Sequence, residues 1–439
     1  MTALTHVIAA CLLLVALPHQ GWAHEVPAGA RFTPHPLTVA AKQEEAGFDP
    51  ARLKRLDDFV AAFVAGGNVP GATTLLARKG KIVQYKAFGH QAVGGPPMQL
   101  DTIFRIYSMT KPITGVALMM LFEEGKFRLD DPIDMHLPEF RNLQVITRWD
   151  AAGKPVLEDA KRPPTIRELM NHSAGYGYGL SADSAVDKLY RANAALVAPG
   201  MDEFIRRAAQ LPLTFQPGTS FNYSLSVDIQ GALVERLSGQ KFGAFLDQRI
   251  FRPLRMGDTG FFVPRNKLRR LAGFYDGMNG RRLVPAKTVF GWPRPDPTKP
   301  PGFESGGAGL YSTTMDYARF CQMLLNGGEL DGARILSPAA VTLLSSNHLA
   351  GDLIKQGVGG YSDAKGFGVD VEVHHDPIAL GSLAGAGTYQ WGGAAGTWFW
   401  IDPANQVIFV GMVQRFNQWT PDHPNRMAPT LVYQALVRP

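Results

Sequence analysis

Apolar residues recur along this chain with two different periods, and the changes of period divide it into elements. From Asp49, "DPARLKRLDDFVAAFVAGG" repeats apolar positions every three or four residues, which predicts a helix. Asp49 is a good cap, Pro50 a good first residue, and Gly66–Gly67 a stop. "GATTLLARKGKIVQYKAFG" then reads as two strands joined at Lys79–Gly80. From Ser108 to Gly125 runs a helix with Ile113, Val116, Ala117, Met120 and Leu121 at helical spacing. Leu118 and Met119 fill its other faces, so it is expected to be buried nearly all round. Pro112 falls in its first turn, where a missing N–H costs little. The middle, about residues 127–300, is long in loops and carries the helical patterns "TIRELMNHSAG" and "SVDIQGALVERLSG". Strands return in "GTWFWIDPANQVIFVGMV", two apolar runs about the turn Asp402–Asn405, and "MAPTLVYQALV" closes the chain as a helix.

Similar segments at both ends around a different middle imply one α/β domain, residues 47–105 plus 301–439, with residues 106–300 inserted as a mainly helical domain. Residues 24–46 are proline-rich and read as an irregular tether. Before it, "HVIAACLLLVAL" is too short to span a bilayer, and small residues end at Ala23. Residues 1–23 are therefore expected to be a secretory signal peptide, which implies a secreted, periplasmic protein without an integral membrane segment once it is removed.

Composition narrows the function classes. The chain has 439 residues, 45% hydrophobic and 19% charged, a globular balance. Its net charge of +6 is spread without a lysine-arginine block, so a nucleic-acid partner is not expected. Cys11 leaves with the signal and Cys321 lies in a helical pattern, so no internal disulfide is expected.

Three Ser-x-x-Lys pairs occur, Ser108/Lys111, Ser238/Lys241 and Ser362/Lys365. A lysine amine reaches a serine hydroxyl when both lie on one helix face, as residues three apart do. Ser238 closes a helix and Ser362 lies among glycines, whereas Ser108 opens the long buried one. There the first N–H groups lack partners and the dipole is positive, which suits a developing oxyanion. The alternative is that Ser108 only caps the helix.

Two further stretches bear on this choice: "PGTSFNYSLSVDIQGALVE", where Tyr223 precedes a helix, and "YQWGGAAGTWFWI", where Trp391-Gly392-Gly393 precedes a strand. With Ser108-x-x-Lys111 these resemble the three motifs of the serine β-lactamase and penicillin-binding-protein superfamily. "LDDPI", "IRELMNHSAG", "FQPGTSFNYS" and "GGAGLYSTTMDYARF" follow in family order, so the likeness covers most of the chain after the signal. The resemblance implies a β-lactamase-like α/β (α+β) fold, an antiparallel sheet flanked by helices from both chain ends. It implies Ser108 as nucleophile, Lys111 as its partner base, and Tyr223 as the tyrosine that shares protons with serine and leaving group. The backbone N–H groups of Ser108 and Ala394 would form the oxyanion hole. A free lysine titrates near ~10.4 and a tyrosine near ~10, so which of the two takes the proton stays open.

The departures from the family pattern point to a substrate. The family's Tyr-x-Asn reads Tyr223-Ser224-Leu225, and its Lys-Thr-Gly reads Trp391-Gly392-Gly393. The lost lysine and threonine would have held a carboxylate, and the lost asparagine an amide. Trp391 offers a flat apolar face and one donor. Trp391, Gly392, Gly393 and Leu225 are therefore expected to line a pocket for a small-molecule ester or other neutral acyl compound. The combination resembles the family VIII carboxylesterases. A β-lactamase or D-alanyl-D-alanine peptidase, an acyltransferase, and a non-catalytic envelope-binding protein are the alternatives, and Arg105, Arg415 or another arginine could replace the lost lysine and restore carboxylate binding. "NHSAG" at Asn171 lacks the first glycine of a nucleophile elbow, which leaves His172 a structural role. "HHD" at His374 reads as a solvated loop and "GYGYG" at Gly175 as a mobile rim of the cleft. No cofactor or metal signature is present.

Overall fold

The computed structural model describes residues 32–277, 282–416 and 423–438, so the predicted signal segment and the first part of the tether lie outside the described residues. The central element is an eight-stranded sheet. Its strands are β1 (Thr38–Val39), β2 (Gly71–Arg78), β3 (Lys81–Gly89), β4 (Lys365–Phe367), β5 (Glu372–His374), β6 (Thr388–Gly392), β7 (Trp398–Asp402) and β8 (Val407–Met412), in the order β1-β3-β2-β8-β7-β6-β5-β4. All neighbours pair antiparallel except β1, which joins β3 in parallel. The tether is thus not wholly irregular: Thr38 and Val39 add an edge strand. The pairing of β2 with β8 welds the two ends of the chain into one sheet.

Helices cover both faces. Asp49 caps α1 (Pro50–Ala65), its side chain accepting from the Arg52 N–H. Leu53, Leu56, Val60 and Phe63 of α1 share a core with Trp398 and Trp400 of β7 and with Val432 and Tyr433 of α5 (Pro424–Tyr433). Phe399, between those tryptophans, lies 5.1 Å from Tyr317 of α4 (Thr314–Leu325), ring centre to ring centre. Both faces of β7 are therefore buried, which is why its sequence is an unbroken apolar run rather than an alternation.

Helix α2 (Thr110–Glu123) is buried at every position from Thr110 to Leu121, as its all-round apolar pattern predicts. Each large apolar side chain there contributes about 1.5–3 kcal/mol of burial. Gly115 lets α2 sit close to the loop after β4, since a Cβ there would meet Val369 Cγ1 at 2.8 Å and Asp370 Oδ2 at 2.9 Å. Helix α3 (Ser226–Ser238) packs beside α2. The expected helical middle also contains a hairpin, Gln144–Trp149 with Pro155–Asp159, where a bulge at Ile146/Arg148 breaks the alternation. None of the described helices is long and apolar enough to cross a membrane.

Candidate active site

A short 3-10 turn, Tyr107–Met109, presents Ser108 just ahead of α2. Tyr107 has φ +43°, a left-handed conformation that is costly for a side chain of this size, so the serine stands on a strained turn. The turn is held from outside. Gln414 bonds both the N–H and the carbonyl of Arg105, and Thr397 Oγ1 donates to the Ile106 carbonyl at 3.3 Å.

Lys111 is fully buried. Its Nζ lies 3.4 Å from Ser108 Oγ, 2.9 Å from Tyr178 Oη and 2.8 Å from the Gly307 carbonyl. Nζ also stands over two rings, 4.5 Å from the centre of Tyr223 and 4.9 Å from that of Tyr178. The Tyr223 hydroxyl has no hydrogen-bond partner among the described residues, Ser108 included. Burial, reinforced by Asp228, Tyr223 and Asp370, pushes the Tyr178 phenol well above the usual tyrosine range. Tyr178 therefore keeps its proton, and its oxygen accepts from the Lys111 amine.

Two buried carboxylates complete this centre. Asp228 on α3 accepts from Ser305 Oγ at 2.5 Å and from the Gly307 N–H at 3.0 Å, which fixes the loop that receives the lysine. Asp370 accepts from Gln230 Nε2 at 3.1 Å. Each has its other oxygen buried without a partner. Burial raises both, and the Lys111 charge pulls back on both. His172 is fully buried behind the tyrosine, its ring centre 4.8 Å from that of Tyr223 and its Nδ1 3.1 Å from Ser224 Oγ. Burial and then the Lys111 charge push it well below the usual histidine range, so it stays neutral and structural.

The opposite wall is the end of β6. Trp391 and Gly392 lie inside that strand and end it, rather than merely preceding a strand. The Trp391 ring packs 5.5 Å from Tyr223 and 5.3 Å from Phe367. The Gly393 N–H donates to the Thr397 carbonyl at 2.7 Å, and a Cβ at Gly393 would meet the Ile106 carbonyl at 2.2 Å. Only glycine allows that approach, and it brings Ala394 to the serine's turn. Neither the Ser108 nor the Ala394 N–H has a backbone acceptor among the described residues.

Ser108, Tyr223, Trp391, Gly392 and Ala394 line one cleft of about 840 Å³. Its walls are mostly apolar, with Phe221, Phe261, Phe290, Trp292 and Phe303 prominent. Two expected pocket residues stand apart. Leu225 is 1% exposed and turned into the core, its N–H bonded to the Gly177 carbonyl. Gly393 is buried in the turn and serves spacing. Arg415 is also occupied elsewhere, donating to the Gly277 and Asn68 carbonyls.

Two readings of loops need correction. "GYGYG" is no mobile rim: Gly175–Gly179 are buried, and a Cβ on Gly177 would meet the Tyr190 ring at 3.1 Å. That same stretch supplies Tyr178, the partner of Lys111 that sequence reasoning missed. "GGAGLYS" likewise supplies Gly307, and "SVDIQG" supplies Asp228. His374 ends strand β5 and contacts Glu372 at 2.9 Å instead of lying in a solvated loop.

A family model described as Beta-lactamase matches residues 56–433. An uncharacterized protein of Mycobacterium tuberculosis is 36% identical over 356 residues, 79% of this chain and 86% of its own. Esterase EstB of Burkholderia gladioli is 34% identical over 386 residues, 84% of this chain and 92% of its own. Among solved structures, EstCE1, described as a hydrolase with promiscuous acyltransferase activity, matches with a TM-score of 0.72 and 25% identity, over 88% of this chain and 99% of its own.

Proposed function

The chain belongs to the beta-lactamase family, and from that premise we propose that it is a serine carboxylesterase acting on neutral esters. The observation that carries this reading is the pairing of Ser108 with a fully buried lysine, 3.4 Å away, in a cleft where an indole ring replaces a carboxylate-binding lysine. Similarity to an esterase over most of the chain supports it.

In this mechanism Ser108 Oγ attacks the ester carbonyl and its proton passes to Lys111 or Tyr223. The tetrahedral oxyanion is met by the N–H groups of Ser108 and Ala394. The same proton goes to the departing alkoxide, which leaves as the alcohol. Water then attacks the acyl-serine by the reverse route, releasing the carboxylic acid and restoring Ser108. Tyr178 and the Gly307 carbonyl hold the amine in place through both halves. Transfer of the acyl group to an alcohol is a second reading, favoured by the size of the cleft and by the similarity to EstCE1.

The test compares turnover of a short-chain nitrophenyl ester and of a chromogenic cephalosporin, with Ser108→Ala as blank. The ester is expected to turn over faster. Faster cephalosporin turnover would overturn the ester reading, and equal rates in the blank would remove Ser108 from the chemistry.

A further inference from the structure

The cleft wall contains two charged side chains among the described residues, Glu372 and Arg294. Glu372 is neutralised where it stands, meeting His374 Nε2 at 2.9 Å, Gln390 Nε2 at 3.1 Å and Lys365 Nζ at 3.3 Å. Arg294 has no such partner among the described residues. Its guanidinium lies 5.4 Å from the centre of the Phe274 ring, and its Nε is buried without a hydrogen bond. No described carboxylate forms an ion pair with it; the nearest acid along the chain, Asp296, faces Thr298 and Lys299.

A second cation acts on it electrostatically. Arg105 is buried, 5.2 Å from the centre of the Tyr311 ring, and its Nε is also without a partner. Burial first, and then the Arg105 charge, lower the Arg294 guanidinium below its ordinary range. Two interacting guanidiniums with no described carboxylate paired to either are unfavourable unless an anion joins them. One of them faces a hydrolase cleft. Phe274, on which Arg294 lies, also packs against Tyr107 at 5.6 Å, and Tyr107 and Ala394 lean on the same apolar cluster. Arg294 therefore belongs to the serine-turn side of the cleft, and Trp391 to the Tyr223 side.

We propose that Arg294 binds a carboxylate of the substrate, so that apolar esters neutral at the Trp391 end and anionic at the Arg294 end are preferred over wholly neutral ones, which narrows the neutral-ester reading. This rests on the carboxylesterase reading and divides the cleft: a neutral wall at Trp391, a cationic one at Arg294. A guanidinium presents paired donors that fit a carboxylate in two parallel bonds, and the surrounding apolar wall strengthens them.

The test measures kcat/KM for three esters: nitrophenyl butyrate, which is neutral; nitrophenyl hemiglutarate, anionic in the acyl part; and acetoxybenzoate, anionic in the alcohol part. The readout is the ratio of each anionic ester to the neutral one. In Arg294→Met that ratio is expected to fall roughly tenfold or more for at least one anionic ester, to be partly kept in Arg294→Lys, and to shrink with added salt in the wild type. Ratios within twofold of wild type for both anionic esters would overturn the proposal. Failure of the esterase reading shows separately, as no turnover of the neutral ester above Ser108→Ala. Binding of phenylbutyrate to Ser108→Ala, read by quenching of the cleft tryptophans, then decides alone: weaker binding on adding Arg294→Met supports the proposal, and equal binding overturns it.

Discussion

Asp402 in the sheet and Asp228 beside the lysine are both fully buried aspartates, and they are treated in opposite ways. Asp402 Oδ1 accepts from the Asn405 N–H at 3.0 Å. Its Oδ2 accepts from the Gly385 N–H at 2.8 Å, Asn405 Nδ2 at 2.7 Å and the Tyr433 hydroxyl at 2.6 Å. Asp228 has donors on one oxygen and none on the other, and Asp370 repeats that pattern. An acid buried for architecture is surrounded by donors. An acid buried beside Lys111 is left half satisfied, and the cation it faces makes up part of the difference. The lysine is thus poised between two acids, two phenol rings and a serine.

The largest expected effect falls on the reactive side of this contrast. Ser108→Ala should lower ester turnover by at least about a thousandfold and abolish labelling by a fluorophosphonate, with thermal stability unchanged. A labelled Ser108→Ala protein would place the nucleophile elsewhere. Next comes the contrast itself. Asp402→Ala leaves four donors without their acceptor and should cost about 3 kcal/mol or more, read as a lower denaturation midpoint. Asp228→Asn should change stability by less than about 1 kcal/mol, because an amide oxygen can still accept from Ser305 Oγ and the Gly307 N–H. It should instead move the acid limb of the kcat/KM profile to lower pH, since losing a nearby negative charge makes the catalytic base easier to deprotonate. Equal destabilisation by both changes, with no shift of the limb, would erase the distinction.

Tyr178→Phe should cost roughly ten- to a hundredfold in kcat by removing the 2.9 Å bond to Lys111, while the folded state persists. A variant at wild-type rate would assign Tyr178 to packing. A further test concerns an intermediate case, Asp316. It accepts from the Asp258 N–H and Thr259 Oγ1 and is still pushed up to about 6 by burial. Its folded pKa exceeds the unfolded one, so it stabilises the fold below about pH 4, and that contribution is lost as pH rises through about 6. The change is on the order of 2 kcal/mol, and Asp316→Asn should flatten it in denaturant titrations at pH 4 and pH 7. An unchanged slope would remove Asp316 as its source.

Much of the sheet and its covering helices was legible because the signals are local. Asp49 and Pro50 start α1 and Lys79–Gly80 turns the hairpin; Asp402–Asn405 turns the next, as expected. The serine and lysine were legible too, since three residues on one helix face bring them together. The rest of the lysine's shell was not. Tyr178 lies 67 positions from Lys111 in the chain and Gly307 196, and no periodicity links such distances. The glycines of "GYGYG" read as a loose loop, although their missing side chains are what let Tyr190 and Leu213 pack against the stretch. Leu225 replaced a polar residue in the motif, and an apolar side chain there turns to the core instead of the cleft.

The bond from Thr397 to the Ile106 carbonyl has a consequence for biosynthesis. It joins positions 291 residues apart, and the turn it anchors brings Ala394 beside Ser108. A ribosome-bound chain that ends before Ala394 already holds its serine and lysine but lacks the second amide of the proposed anion pocket. On the proposed mechanism, full hydrolytic competence would then arrive only with the final stretch of translation.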